Sequence, residues 1–225
     1  MTEYYKNHTR CYVAVDCIIF GLKDGKLDIL LTRRAFEPEK GKWSLMGGFV
    51  DAKESVDDAA ERVLRELTGI SNVYMRQVGT FGAVDRDPGE RVISVAYYAL
   101  LNRADVDPAL LEAHNAQWVD LGDLPNLGFD HPAMIKKAIA VMRRHFAVEP
   151  VAFKLLPELF TLSQLQALYE LVFGQVIDKR NFRKRIADNE CIVATENIDK
   201  TGSKRGARLY RYSAGSYADN PYFKI

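Results

Sequence analysis

Between Gly48 and Ile70 this chain places glycine and charge at fixed intervals, and that stretch limits the possible folds more than any other. Glu54 follows Gly48 after five residues, Arg62 follows after seven more, and Gly69-Ile70 closes the run. Val56, Ala59, Ala60, Val63 and Leu67 fall at i, i+3, i+4, i+7 and i+11, which is one apolar stripe of a helix. The spacing predicts a helix from about Glu54 to Leu67, stopped by Gly69 and fed by a Gly-rich loop over Trp43 to Val50. Glu66 lies four residues after Arg62 and can serve as its ion-pair partner. Asp58 is eight residues before Glu66, about 12 Å along a helix axis. Glu61 is five before it and faces elsewhere, so neither can stand beside Glu66.

The rest of the composition sets bounds. With 48% hydrophobic and 27% charged residues in 225 positions, the chain is a globular protein long enough for one large or two smaller domains. Cys11, Cys17 and Cys191 are odd in number and widely spaced, which suggests neither a disulfide framework nor a zinc site, and a reducing compartment follows. Met1 to Arg10 is polar, so no secretory signal is expected, and no apolar run reaches the length of a membrane span. A cytoplasmic protein without membrane association is the expectation. His8, His114, His131 and His145 show neither ligand spacing nor a partner, and structural roles are expected of them. No serine sits in a nucleophile setting such as G-x-S-x-G. No metal or other cofactor is expected.

Two blocks of pattern follow one another. In the first, Tyr12 to Phe20 and Leu27 to Thr32 read as strands joined by a turn at Lys23-Asp24-Gly25-Lys26. Val73 to Phe81 and Arg91 to Leu101 read as strands separated by Asp85-Arg86-Asp87-Pro88-Gly89, and Ala116 to Val119 as a short strand. His131 to Phe146 carries Ile135, Ile139, Met142 and Phe146 at helical spacing. That order predicts a mixed sheet between helices, an α/β domain. Ala147 to Leu156, with Pro150 inside it, is the candidate linker. The domains are set at 1–148 and 149–225.

In the second block Thr161 is a candidate N-cap for a helix carrying Leu162, Leu165, Leu168, Tyr169 and Val172, ended by Gly174. A second helix is predicted from Asp178 to Asn189, with Phe182 and Ile186 inward and Arg180, Asn181, Arg183, Lys184 and Arg185 largely on the other sides. Cys191 to Glu196 and Ala207 to Tyr212 read as strands around a basic tip with Lys204 and Arg205, and Arg208 just beyond it. From Val151 onward, 12 Lys and Arg against 8 Asp and Glu give +4, and the remainder of the 31 and 30 in the chain gives −3. A basic helix followed by a basic hairpin is the winged-helix pattern. Arg and Asn on such a helix can read guanine and adenine in the major groove, and wing cations can contact phosphate.

The run from Gly48 to Ile70 resembles the Nudix signature, in frame at its glycines, first Glu and Arg. The whole chain is similar to the Nudix-related transcriptional regulators of bacteria. That likeness rests on Lys42-Trp43-Ser44-Leu45-Met46-Gly47-Gly48-Phe49-Val50, Thr80-Phe81-Gly82, Asp85-Arg86-Asp87-Pro88, Arg91 to Tyr98, Phe153 to Pro157 and on through Tyr169-Glu170, and Asp178 to Arg183. Within that family it is most like the branch that answers to L-arabinose in Bacteroides. The resemblance implies a Nudix α/β/α sandwich with a mixed sheet, then a C-terminal winged helix-turn-helix domain. It also implies that active relatives place three carboxylates where this chain has Val63, Glu66 and Leu67. Val63 and Leu67 replace two metal-binding Glu, and an apolar side chain offers magnesium no oxygen. No enzyme activity is therefore expected.

The implied function is a homodimeric repressor of sugar-utilisation genes. It would bind double-stranded operator DNA through Lys179, Arg180, Asn181, Arg183, Lys184, Lys204, Arg205 and Arg208. The effector cleft implied by the family would draw on Asp16, Arg33, Trp43, Phe49, Glu66, Asp85 and Arg86. A pentose needs hydroxyl acceptors and an apolar face, and L-arabinose is the expected effector. ADP-ribose or a related nucleotide is the alternative, with Arg33, Arg34 and Arg86 as cationic donors for its diphosphate. A residual hydrolase of nucleotide sugars is the other alternative.

Overall fold

The computed structural model describes residues 6–201, 206–219 and 223. Strand β1 (Tyr12–Lys23) pairs with β2 (Lys26–Arg33) through a turn in which Asp24 and Gly25 have φ of 49° and 74°. Positive φ at both central residues defines a type I′ hairpin, the geometry an Asp-Gly pair favours. After the short strands β3 (Trp43–Ser44) and β4 (Met46–Phe49) comes helix α1 (Val56–Thr68). Ser55 caps it: the side chain accepts the Asp58 N–H while the Asp58 carboxylate accepts from the Ser55 backbone. This reciprocal cap moves the helix start two residues past the expected Glu54. Strands β5 (Tyr74–Phe81) and β6 (Val92–Asn102), helix α2 (Pro108–Ala113), strand β7 (Ala116–Asp120) and the long helix α3 (His131–Val148) complete the first block.

Among the described residues seven strands make one sheet, β3-β2-β1-β6-β5, with β4 on β1 and β7 on β2. The β1–β6 pair is parallel and the other pairs antiparallel, so the sheet is mixed, as expected. Side chains alternate across β1. Ile18 and Phe20 pack with Met134, Ile135 and Met142 of α3, whereas Val15, Cys17 and Ile19 pack with Ala59, Ala60, Val63 and Leu64 of α1. A strand covered on both faces carries continuous apolar sequence rather than alternation, which is how Cys17 to Phe20 reads. This is the expected Nudix sandwich.

The second block is the expected winged helix. Strand β8 (Phe160–Thr161) precedes α4 (Leu162–Phe173), then come α5 (Lys179–Ala187), β9 (Ile192–Asp199), β10 (Ala207–Tyr212) and α6 (Ala214–Asp219). The strands run β8-β10-β9. Thr161 caps α4 in a box with Gln164, Gly174 closes the helix in left-handed geometry, and Asp178 caps α5. Phe182 and Ile186 are buried, as predicted.

Three features go beyond the sequence reading. The candidate linker is packed: Val151, Ala152, Leu155 and Leu156 are buried, and Val151–Lys154 forms a 3-10 turn. Phe160 and Thr161 pair with β10 before the helix begins, so a helix-cap sequence also serves as a strand. Helices α2 and α6 had no sequence reading; α2 is six residues long, too short for an apolar stripe, although Asp107 caps it and Pro108 opens it.

One apolar cluster joins the blocks. Phe146 of α3 meets Tyr169 of α4 edge-on at 5.7 Å, and Tyr169 lies 6.0 Å from Phe182 of α5. The Tyr169 hydroxyl donates to the Phe146 carbonyl at 3.2 Å, and Arg143 Nε donates to the Val172 carbonyl at 2.7 Å.

Candidate functional site

A cleft of about 500 Å³ opens between β1, the β3–β4 loop and the segment after β2. Its base is a buried charge network drawn from distant parts of the chain. Arg86 donates to Asp130 at 2.9 and 3.2 Å and to Asp16 at 3.4 Å. Ser94 Oγ donates to the same Asp16 oxygen at 2.5 Å. The Leu45 N–H donates to His131 Nδ1 at 3.1 Å, which leaves Nε2 to carry the proton toward Asp16 Oδ1, 3.6 Å away. Burial holds the His131 pKa below its ordinary value despite Asp16 and Asp130 nearby, so the ring is neutral. A Cβ on Gly47 would come within 2.6 Å of Asp16 Oδ1 and 2.8 Å of the Val15 carbonyl, so the position beside Asp16 requires glycine.

At the mouth the cations are held by rings. The Arg33 guanidinium sits 4.6 Å over Trp43 and donates to the Gly41 carbonyl at 3.2 Å. That of Arg34 lies 4.8 Å from both Phe36 and Phe129, with Nε bonded to the Pro38 carbonyl at 2.8 Å.

The helix that would present metal-binding acids does different work. Arg62 donates to both oxygens of Glu54, at 2.7 and 3.0 Å, and to the Phe49 carbonyl at 2.9 Å. The Asp51 N–H donates to Glu54 as well, at 2.8 Å. These donors push the Glu54 pKa down to about 2, and they staple the loop to α1. Glu66 lies 3.6 Å from Arg62 and is half exposed. Val63 is buried against Gly48, and Leu67 lines the cleft. A magnesium ion needs several oxygens at once, and this face offers Glu66 together with a Glu54 whose oxygens are taken. The donor set does not fit that ion, and among the described residues no group of three His, Cys, Asp or Glu could hold a metal.

Of the seven expected effector residues, Asp16, Arg33, Phe49 and Arg86 line the cleft. Trp43, Glu66 and Asp85 do not. Trp43 packs on the core beneath Arg33, Glu66 turns to Arg62, and Asp85 is exposed while its neighbour Asp87 takes a place in the wall. His131 was expected to lack a partner, and it has two. The bonds from Asp16 to Ser94 and to Arg86 span 78 and 70 positions, and that from Arg86 to Asp130 spans 44. No local spacing could show this network. Phe36 and Phe129 were also missed, although an exposed Phe36 in a charged loop is a visible anomaly.

The second surface is α5. Lys179, Arg180, Asn181, Arg183 and Lys184 are exposed along it, and Arg208 is exposed on β10. Lys204 and Arg205 lie outside the described residues. The turn before α5 is braced, because Ile177 N–H donates to Glu170 at 2.9 Å and Gln166 donates to both Glu170 and the Ile177 carbonyl, at 3.0 and 2.9 Å.

A model of the NUDIX domain matches residues 12–138, and one of the NrtR DNA-binding winged helix domain matches residues 152–212. The ADPR responsive transcriptional repressor NtrR of Acinetobacter baylyi is 34% identical over 225 residues, which span 98% of this chain and 90% of that protein. The chain belongs to the NrtR family of Nudix proteins. Its fold matches the crystal structure of Shewanella oneidensis NrtR complexed with a 27mer DNA, with a TM-score of 0.81 and 28% identity over 92% of this chain and 95% of that one. The Nudix part alone matches the NUDIX domain of the same Shewanella protein complexed with ADP ribose, with a TM-score of 0.52 and 30% identity over 63% of this chain and 99% of that one. No helix among the described residues is long and apolar enough to cross a membrane.

Proposed function

We propose that this chain is a DNA-binding transcriptional repressor that senses ADP-ribose in its Nudix cleft without hydrolysing it. The reading is carried by one pairing: an arginine-bearing cleft and an exposed basic helix α5 joined through a single apolar core. The named relatives support both halves, one as an ADPR responsive repressor and one bound to DNA. They also turn the effector from the L-arabinose expected in the sequence to ADP-ribose. A diphosphate gives Arg33 and Arg34 a purpose at the mouth that a neutral pentose does not. Val63 and Leu67 leave a bound diphosphate without the oxygens a magnesium ion would need. The bound nucleotide acts as a signal.

DNA recognition falls to Lys179, Arg180, Asn181, Arg183 and Lys184 in the major groove and to Lys204, Arg205 and Arg208 on the backbone. The protein acts as a homodimer on a palindromic operator, in the cytoplasm. Its response needs ADP-ribose to bind the DNA-competent and incompetent forms unequally. Helix α3 is the natural carrier: Asp130 and His131 reach the cleft at one end, and Phe146 holds α4 at the other.

The test is fluorescence anisotropy with labelled duplex from the gene neighbourhood, titrated in parallel with ADP-ribose and L-arabinose. Salt-dependent, sequence-selective binding reversed by ADP-ribose is expected. Reversal by the sugar alone would restore the arabinose effector. Absence of selective DNA binding, with magnesium-dependent ADP-ribose hydrolysis abolished by Glu66→Gln, would replace the repressor with a hydrolase.

A further inference from the structure

A second cavity, of about 400 Å³, lies where the two blocks meet and shares no lining residue with the Nudix cleft. Its walls come from both blocks: Leu27 of β2, Leu121 after β7, Ile139 and Met142 of α3, and Leu171 and Val172 of α4. Leu27, Met142 and Val172 are buried, while Leu121, Ile139 and Leu171 stay half-buried around them. A mostly apolar recess of this size, at a junction of domains, is the usual setting of a small-molecule site. Three charged side chains stand at it, Lys26, Asp120 and Arg143. Two of them satisfy each other. Lys26 Nζ lies 2.9 Å from one Asp120 oxygen, and the other accepts the Gly122 N–H at 2.8 Å. Arg143 is different. Its Nε donates to the Val172 carbonyl in the last turn of α4 at 2.7 Å, and its guanidinium makes no other hydrogen bond or ion pair among the described residues. An uncommitted cationic fork therefore stands beside an apolar recess.

That combination selects a ligand class. A carboxylate matches the edge of a guanidinium, and an apolar body replaces water against Leu121, Ile139 and Leu171. The Asp120 carboxylate beside the cavity disfavours a dianion such as a phosphate monoester. A neutral alcohol leaves Arg143 without a counter-charge. We propose that the junction cavity is a second small-molecule site, and that it takes an apolar monocarboxylate with the bulk of a fused ring pair. Such a ligand touches the sheet, α3 and α4 together. It therefore ties the two blocks to one another and raises the melting temperature of the chain. The site stands apart from the effector reading, because no residue of the Nudix cleft takes part in it.

The experiment is isothermal titration of the full chain with 2-naphthoate, 2-naphthol and 2-naphthyl phosphate, repeated in the presence of ADP-ribose. 2-Naphthoate is expected to bind about tenfold or more tightly than the other two, the scale of one charge-assisted hydrogen bond. ADP-ribose is expected not to displace it. Ile139→Trp fills the cavity and should weaken 2-naphthoate by about tenfold or more, with ADP-ribose affinity unchanged. Arg143→Met should bring 2-naphthoate down to the level of 2-naphthol. A melting scan of each variant accompanies the titration, and Arg143→Met carries the test alone if Ile139→Trp does not fold. Absence of 2-naphthoate binding at millimolar concentration would overturn the site, as would equal affinity in wild type and Ile139→Trp, or displacement by ADP-ribose. Binding of 2-naphthol as tight as that of 2-naphthoate, or an Arg143→Met variant that binds 2-naphthoate like the wild type, would overturn the carboxylate assignment.

Discussion

Glu54 shows how a carboxylate of the Nudix signature is put to structural use. Clamped by Arg62 and by the Asp51 N–H, it has a folded pKa of about 2 against the usual 4.5. Between those values the unfolded chain binds the proton and the native one does not, so the clamp stabilises the fold above 4.5 and the contribution fades as pH falls through about 2. Urea midpoints measured from neutral pH downward should therefore separate wild type from Arg62→Met at neutral pH and converge in acid; a gap that stays constant would deny the clamp its role. His131 adds an earlier loss. Burial lowers its pKa below 6.5, so the fold weakens as pH drops under that value and the unfolded ring takes up a proton. Arg86 carries the largest single risk. Arg86→Met strands Asp16 and Asp130 at the cleft base, a change expected to cost about 3–5 kcal/mol in urea unfolding.

At the scale of elements, the turn before α5 offers a direct check. Val176 in that turn is 93% exposed, while its neighbour Ile177 is fixed through both backbone polar groups by Glu170 and Gln166. Glu170→Ala should loosen the turn and lower operator affinity while leaving ADP-ribose affinity unchanged in anisotropy and calorimetry. Elements defined by short-range chemistry were plain in the sequence: the Asp-Gly hairpin, the Gly69 and Gly174 stops, the Thr161 cap, and the inward pair Phe182 and Ile186. What could not be read depends on the third dimension. The Asp16–Arg86–Asp130 network assembles only when β1, the loop after β5 and the start of α3 meet, and Trp43 packs on the core with Arg33 over its ring. Glu66 was open to two readings from spacing alone, and the distance to Arg62 favours the ion pair. The extra length of β9, through Asp199, came from pairing with β10, a partner-driven extension that local propensity does not encode.

For the whole molecule, the distance between the cleft and α5 is bridged by α3 and the rings Phe146, Tyr169 and Phe182. Arg183→Ala should weaken operator binding by about 1–3 kcal/mol if that side chain meets a base, with no change in ADP-ribose affinity. Tyr169→Leu should do something different: both ligands still bind, but ADP-ribose displaces DNA less completely, read as a smaller shift in operator affinity at saturating effector. An unchanged shift would place the coupling elsewhere. The buried segment Val151, Ala152, Leu155 and Leu156 has a further consequence. With Val151, Ala152, Leu155 and Leu156 packed into the core that joins the blocks, calorimetry should record one melting peak for the whole chain. In such a chain, damage at either end is shared: a substitution that erodes the Nudix sandwich also thins the population able to grip DNA, so silencing and sensing are lost in the same step.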